Sequence, residues 1–208
     1  MSDQLQRYAG LIARRTIMSE RDMRRIGEEV EPGGRPKAPG RLELLQRFIN
    51  SHNHDLPEEW DRIGTAAKAT AWLKKKGLIG PGERISAADA TRLRELREAL
   101  RALIVARHPS AAAAIVSAQQ ATLRVVVDDA GQVVLTPAGG GADGAVATLL
   151  GILHEAQISG DWSRMKACRQ CEYAFFDRSK NRSAAWCSMS ICGNRTKNRA
   201  YYRRQRSA

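Results

Sequence analysis

The sequence has no long apolar run. In its 208 residues the longest stretch free of Asp, Glu, Lys and Arg goes from His108 to Leu123. It is alanine-rich and broken by Pro109, Gln119 and Gln120, so it supplies no membrane-spanning helix. A secretory leader would need an apolar core near the N-terminus, where Asp3, Arg7, Arg14 and Arg15 stand instead. A soluble, cytoplasmic protein without a membrane partner is expected. Cysteine is absent before Cys168, and acids are nearly absent after residue 163, where only Glu172 and Asp177 remain. The triple glycine at 139–141 lacks a following Gly-Lys-Ser/Thr, which excludes a phosphate loop. No internal repeat and no heptad run is present, and no nucleophile, base and orienter assemble in the sequence, so an enzyme is not expected.

Hydrophobic residues make up 43% of the chain and charged residues 27%, an ordinary globular balance that excludes wholesale disorder. The net charge of +12 is unevenly placed. Residues 1–40 carry +2, residues 41–163 are neutral with fourteen bases and fourteen acids, and residues 164–208 carry +10. This predicts a helical extension and linker over 1–40, a neutral domain over 41–163, and a small basic module over 164–208 built for a polyanion.

Apolar spacing predicts helices over 1–31, 42–50 and 65–76, a long one after the N-cap Ser86, a short one near 110–119, and a last one through Val146–Ile158. Pro32 to Gly40 reads as a linker. Leu123–Val127 and Gln132–Leu135, joined by Asp128-Asp129-Ala130-Gly131, read as a β-hairpin in which the aspartates serve the turn. The expected fold class is α+β, mainly α. A helical domain with a small hairpin precedes a four-cysteine, ββα-like zinc module. His154 is expected to pack or hydrogen-bond on a core-lined helix, and His52-Asn53-His54-Asp55 to turn the chain after a helix.

The cysteines read Cys168-x2-Cys171, fifteen residues, Cys187-x4-Cys192. Two close pairs at that separation suit one tetrahedral Zn2+, each pair approaching the ion from a tight turn. Disulfides are disfavoured without a secretory signal, and a redox role is disfavoured because the strand-like Tyr173-Ala174-Phe175-Phe176 follows Cys171. Four thiolates close the site, so the metal folds the segment and activates no water. Beyond Cys192 a basic helix is expected, with Arg195, Arg199, Tyr202 and Arg206 in one stripe and Arg203 beside it. Six bases without an acid on one helix repel one another unless phosphates accept them. Arg195, Arg199, Arg203 and Arg206, with Lys180 and Arg182 from the intervening loop, are the expected nucleic-acid contacts.

These residues carry a resemblance. Lys166-Ala167-Cys168, Cys171, Phe175-Phe176-Asp177-Arg178-Ser179-Lys180-Asn181-Arg182-Ser183, Trp186-Cys187-Ser188-Met189 and Cys192-Gly193-Asn194-Arg195 resemble the CGNR zinc finger. Phe48-Ile49-Asn50-Ser51, the Trp72-Leu73 helix and the Leu93–Ile104 helix resemble the ABATE domain that precedes it. The resemblance implies a bacterial, stress-induced transcription regulator, and with the basic finger the expected partner is double-stranded DNA. It departs from the family in the short first cysteine gap and in Asn50-Ser51, where Asn-Thr is common; it slightly favours Asn50 and Ser51 as ligand-lining residues. An effector and a homodimer suit such a regulator. Two other readings stand beside it. One is an RNA-binding module that uses Tyr201 and Tyr202 to stack on bases. The other is a small-molecule-binding helical domain with a purely structural finger.

Overall fold

The computed structural model describes residues 31–54, 56–106, 116 and 119–206. The helices expected over 1–31 and 110–119 fall outside the described residues but for Glu31, Val116 and Gln119, as does Asp55. The chain divides into two compact units. One is residues 37–185, and the described part of the other is residues 31–36 and 186–206.

The larger unit contains α1 (Leu42–Ile49), α2 (Ala66–Lys75) and α3 (Ala87–Ala106). The hairpin β1 (Leu123–Val127) and β2 (Val133–Pro137) follows, then α4 (Gly141–Ile158) and a second hairpin, β3 (Met165–Ala167) with β4 (Ala174–Phe176). The smaller unit has a 3-10 turn at Pro32–Gly34, a wide turn at Met189–Gly193 and α5 (Asn194–Arg206). The result is α+β, mainly α, as the periodicities require.

Local chemistry sets the ends. The Thr65 hydroxyl accepts from Lys68 N–H at the start of α2, and Gly77, at φ +66°, ends it while Leu78 N–H reaches back to Leu73 C=O. Ser86 accepts from Asp89 N–H at 3.1 Å and donates to its carboxylate at 2.7 Å. Asp128 accepts from the N–H groups of Ala130 and Gln132, both at 2.9 Å, and so fixes the first hairpin turn.

Two elements differ from what their composition suggests. The triple glycine at 139–141, by composition a flexible loop, is held by Glu83. The Glu83 carboxylate accepts from Gly141 N–H at 2.7 Å and Gly80 N–H at 2.5 Å, and a Cβ on Gly140 would lie 2.4 Å from it. An acid of the chain itself thus occupies the N-terminus of α4. His154 is exposed: Leu153 and Ala156 of α4 face inward while His154 points away.

The core is formed by Leu45, Phe48 and Ile49 of α1, Leu73 of α2, Leu93, Leu96 and Leu100 of α3, and Leu149 and Ile152 of α4. Met165, Ala174 and Phe176 belong to the same core. The second hairpin, which carries the first cysteine pair at its turn, is therefore packed as part of the helical unit. Neutral composition up to residue 163 hid this, since three apolar residues do not change a charge balance. Among the described residues no helix is long and apolar enough to cross a membrane.

Candidate metal centre and nucleic-acid interface

The four cysteines are buried, and their sulfurs all lie within 4.8 Å of one another. None is in a disulfide, and Cys187 Sγ is 3.6 Å from Cys192 Sγ. Sulfurs on a tetrahedral Zn2+ at about 2.3 Å are roughly 3.8 Å apart, so the donor set and spacing fit one zinc ion. Among the described residues this is the one His/Cys/Asp/Glu group compact enough to hold a metal.

Each cysteine pair has its own scaffold. At the first, Glu172 N–H donates to Cys168 C=O at 2.9 Å and Cys168 N–H to Tyr173 C=O at 3.0 Å, with Glu172 at φ +56°. Tyr173 and Phe175 are buried around it. At the second, Ser188 caps the turn by accepting from Ile191 N–H, and its carbonyl accepts from Cys192 and Gly193 N–H. A Cβ on Gly193 would lie 2.4 Å from Met189 Sδ and 3.2 Å from Trp186 Cδ1, so a larger residue where the turn passes into α5 would have to displace the Met189 side chain.

Arg35 was not singled out by the sequence. It donates from Nε to Cys187 C=O and from its Nη2 to Trp186 C=O, both at 3.0 Å. Gly33 lies so close to Ser188 that a Cβ would be 2.5 Å from its hydroxyl. The beginning of the stretch read as a linker, at Gly33 and Arg35, is thus held at the second cysteine turn.

The two acids of the basic segment organise it. Asp177 is fully buried and accepts from the Lys166 ammonium at 2.7 Å, Ser179 N–H at 2.9 Å and Ala184 N–H at 3.0 Å. Burial alone would raise its carboxyl, but these donors outweigh it and hold it at about 2. Asp177 thereby pins both ends of the loop that displays Arg178, Lys180 and Arg182, while Lys166 also donates to Arg182 C=O. Its standing as one of only two acids among twelve bases was the available signal for this role. Its contribution to stability is complete above about pH 4 and is lost as pH falls toward 2, because the unfolded carboxyl binds its proton first. Asp177→Asn should therefore cost about 2 kcal/mol at neutral pH and flatten the acid limb below pH 4. Urea unfolding of chelator-treated protein across that range measures both, and an unchanged acid limb would refute the assignment.

Glu172 meets His54, whose Nδ1 is 3.2 Å from it while Nε2 is 3.0 Å from Glu98. Glu98 accepts in addition from Arg97 at 2.7 Å and Arg101 at 3.2 Å. The His52 and His54 rings are 5.8 Å apart, and burial pushes the His52 imidazole below its ordinary value.

Lys180 and Arg182 are exposed in the loop, where Arg182 adopts φ +48° and donates to the Ser163 hydroxyl at 3.1 Å. On α5, Arg199 and Arg206 are exposed, Arg195 is half-buried, and Arg203 lies within the same helix. Lys197 and Arg204 are also exposed, and Tyr201 and Tyr202 pack edge to face at 5.6 Å with more than half of each exposed. Asn50 and Ser51 sit elsewhere, both buried. The Asn50 amide donates to Ala174 C=O and accepts from Ala174 N–H, each at 2.8 Å, and Ser51 accepts from Arg97 at 3.2 Å.

A family model for the CGNR zinc finger matches residues 164–205. A second, ABATE, described as a putative stress-induced transcription regulator, matches residues 42–175. These descriptions are of a regulatory protein and a zinc finger rather than of an enzyme. No curated protein matches the chain.

Proposed function

The chain belongs to the ABATE family, and from that premise we propose that it is a cytoplasmic, DNA-binding transcription regulator whose finger docks on DNA phosphates while its helical domain senses a ligand or mediates association. The observation that carries this reading is α5. Over Asn194–Arg206 it has Arg195, Lys197, Arg199, Arg203, Arg204 and Arg206 and no acid, and it begins two residues after Cys192. Such a helix is disfavoured by its own repulsion in isolation, and a phosphate backbone that releases counterions relieves it.

Cys168, Cys171, Cys187 and Cys192 would hold the zinc, which supplies a structural crosslink and no reactive position. Arg195, Arg199, Arg203 and Arg206, with Lys180 and Arg182, meet phosphates, their guanidinium and ammonium groups donating to phosphate oxygens. Phosphate contacts set affinity and register without reading sequence.

About five phosphate contacts give a log–log dependence of affinity on salt with a slope of roughly −4 to −5. Anisotropy titrations on genomic duplex fragments measure it, and Arg199→Ala should flatten the slope by about 0.9. A slope shallower than about −2, or one insensitive to α5 substitutions, would refute finger docking. The exposed tyrosines favour a second reading, binding of unpaired RNA by stacking. Competition settles the choice. If single-stranded RNA displaces duplex DNA at equal nucleotide concentration and Tyr202→Ala removes the preference, the RNA reading replaces the DNA one.

A further inference from the structure

The first hairpin has one blunted edge and one open edge. Asp128 N–H bonds to Gln132 C=O and Ala138 N–H to Thr122 C=O, so residues at even positions of β1 direct their backbone groups toward β2. In an antiparallel ladder the pattern alternates, and the N–H and C=O groups of Leu123, Val125 and Val127 therefore point outward. Among the described residues β1 has no neighbour but β2. The outward edge of β2 is different: it contains Pro137, which has no N–H, and β2 packs against α4. On β1, Val125 is 69% exposed and Val127 68%, beside Val133 at 70%. An edge of valines with no lysine, proline or bulge is a pairing template.

The edge is also self-complementary. Outward groups must meet outward groups, which restricts a two-fold antiparallel pairing of β1 with itself to axes through a residue. An axis at Arg124 sets two arginines face to face, and one at Val125 leaves every charge unmatched. An axis at Val126 sets Arg124 opposite Asp128 of the second copy, twice, and pairs Val125 with Val127 by backbone hydrogen bonds. Asp128 spends one oxygen, Oδ1, on its own turn, which leaves Oδ2 for the guanidinium. On the opposite face, Val133, Val127, then Val125 and Leu135 of the second copy form a continuous apolar row, and its mirror row runs beside it.

We propose that the open edge of β1 is a self-association surface, on which two copies of the chain pair antiparallel about Val126 to form a four-stranded sheet. The pairing needs only β1 and does not rest on the DNA reading.

In this register Val126 faces its own counterpart at a non-hydrogen-bonded position. There the Cα atoms are about 4.5 Å apart, within disulfide reach. The full-length, zinc-loaded chain carrying Val126→Cys should form a linked dimer under mild oxidation. Val125→Cys alone should not, whereas Val125→Cys mixed with Val127→Cys should. The unsubstituted chain provides the background from its own cysteines. By sedimentation the unsubstituted chain should be a dimer, and Arg124→Asp, which opposes Asp128 with a like charge, should weaken it about tenfold or more. A monomer at ~100 µM would overturn the proposal. So would a dimer indifferent to Arg124→Asp, or Val125→Cys crosslinking as readily as Val126→Cys.

Discussion

Asp61→Ala is expected to destabilise the helical unit by about 3–5 kcal/mol, the largest single-residue effect outside the cysteines. Asp61 and Arg97 are both buried, and the pair is bidentate, with Nη1 to Oδ1 at 2.7 Å and Nη2 to Oδ2 at 2.9 Å. Burial alone would raise the Asp61 carboxyl, but Arg97 outweighs it and holds it below its ordinary value. Removing the acid strands a guanidinium whose remaining partners are the Ser51 hydroxyl and Glu98. The desolvation cost then stands without its counter-charge. Replacing both, as Asp61→Leu with Arg97→Met, should cost far less than Asp61→Ala, because no buried charge is left. Urea unfolding of the two variants measures the difference, and equal losses would mean that packing, not charge, dominates there. The same groups fix the pH dependence. With Asp61 and Glu98 depressed by their arginines and His52 depressed by burial, the unfolded chain binds protons first in each case. Stability from His52 is lost as pH falls below about 6.5, that from Glu98 below about 4.5 and that from Asp61 below about 3.8.

Much of the fold is legible in the sequence where the signal is local. Ser86 with Asp89, the apolar spacing of Leu93 to Ile104, and the aspartate-bearing turn at 128 each act within a few residues of themselves, and the structure has each of them. The cysteine quartet is legible for a similar reason, since two short spacings suit one ion. What the sequence hides is polar and distant. Arg35 bonds to carbonyls about 150 positions away, and Asn50 to Ala174 across 124. Arg97 and Arg101 resemble any surface charge on an amphipathic helix, yet both are buried, Arg101 donating to the carbonyls of Ile49, His52 and Glu172. Periodicity reports where apolar residues recur; it does not report which charges acquire buried partners. His154 shows the converse, since a position on a largely apolar helix can still fall on its outer face.

Zinc removal should divide the finger rather than unfold it whole. In the expectation drawn from charge, length and the cysteine quartet, residues 164–208 form one module too short to build much of a core and folded by its metal. The packing differs at its two ends. Met165, Ala174 and Phe176 are in the main core, Asn50 and Gln46 bond to Ala174, and Arg101 holds Glu172 C=O. Those interactions involve no cysteine sulfur and are expected to persist without metal. The second cysteine turn depends on local hydrogen bonds, Arg35 and the ion. The 13 residues of α5 have no acid to offset their charge, and they lose their anchor at Cys192 when the ion leaves. Chelation, or Cys187→Ser, should therefore cost about one helix of this length in circular dichroism and abolish the steep salt-dependent binding. The Ala174 amide should stay protected from hydrogen exchange while amides of Asn194–Arg206 exchange freely. Arg35→Ala should weaken zinc retention against a competing chelator without disturbing Ala174. Structural zinc sites contribute about 10 kcal/mol or more in isolated fingers, so the loss in α5 should be near complete. If Ala174 exchanges as fast as α5 once the metal is gone, the second hairpin owes its order to zinc after all, and the finger folds as one piece.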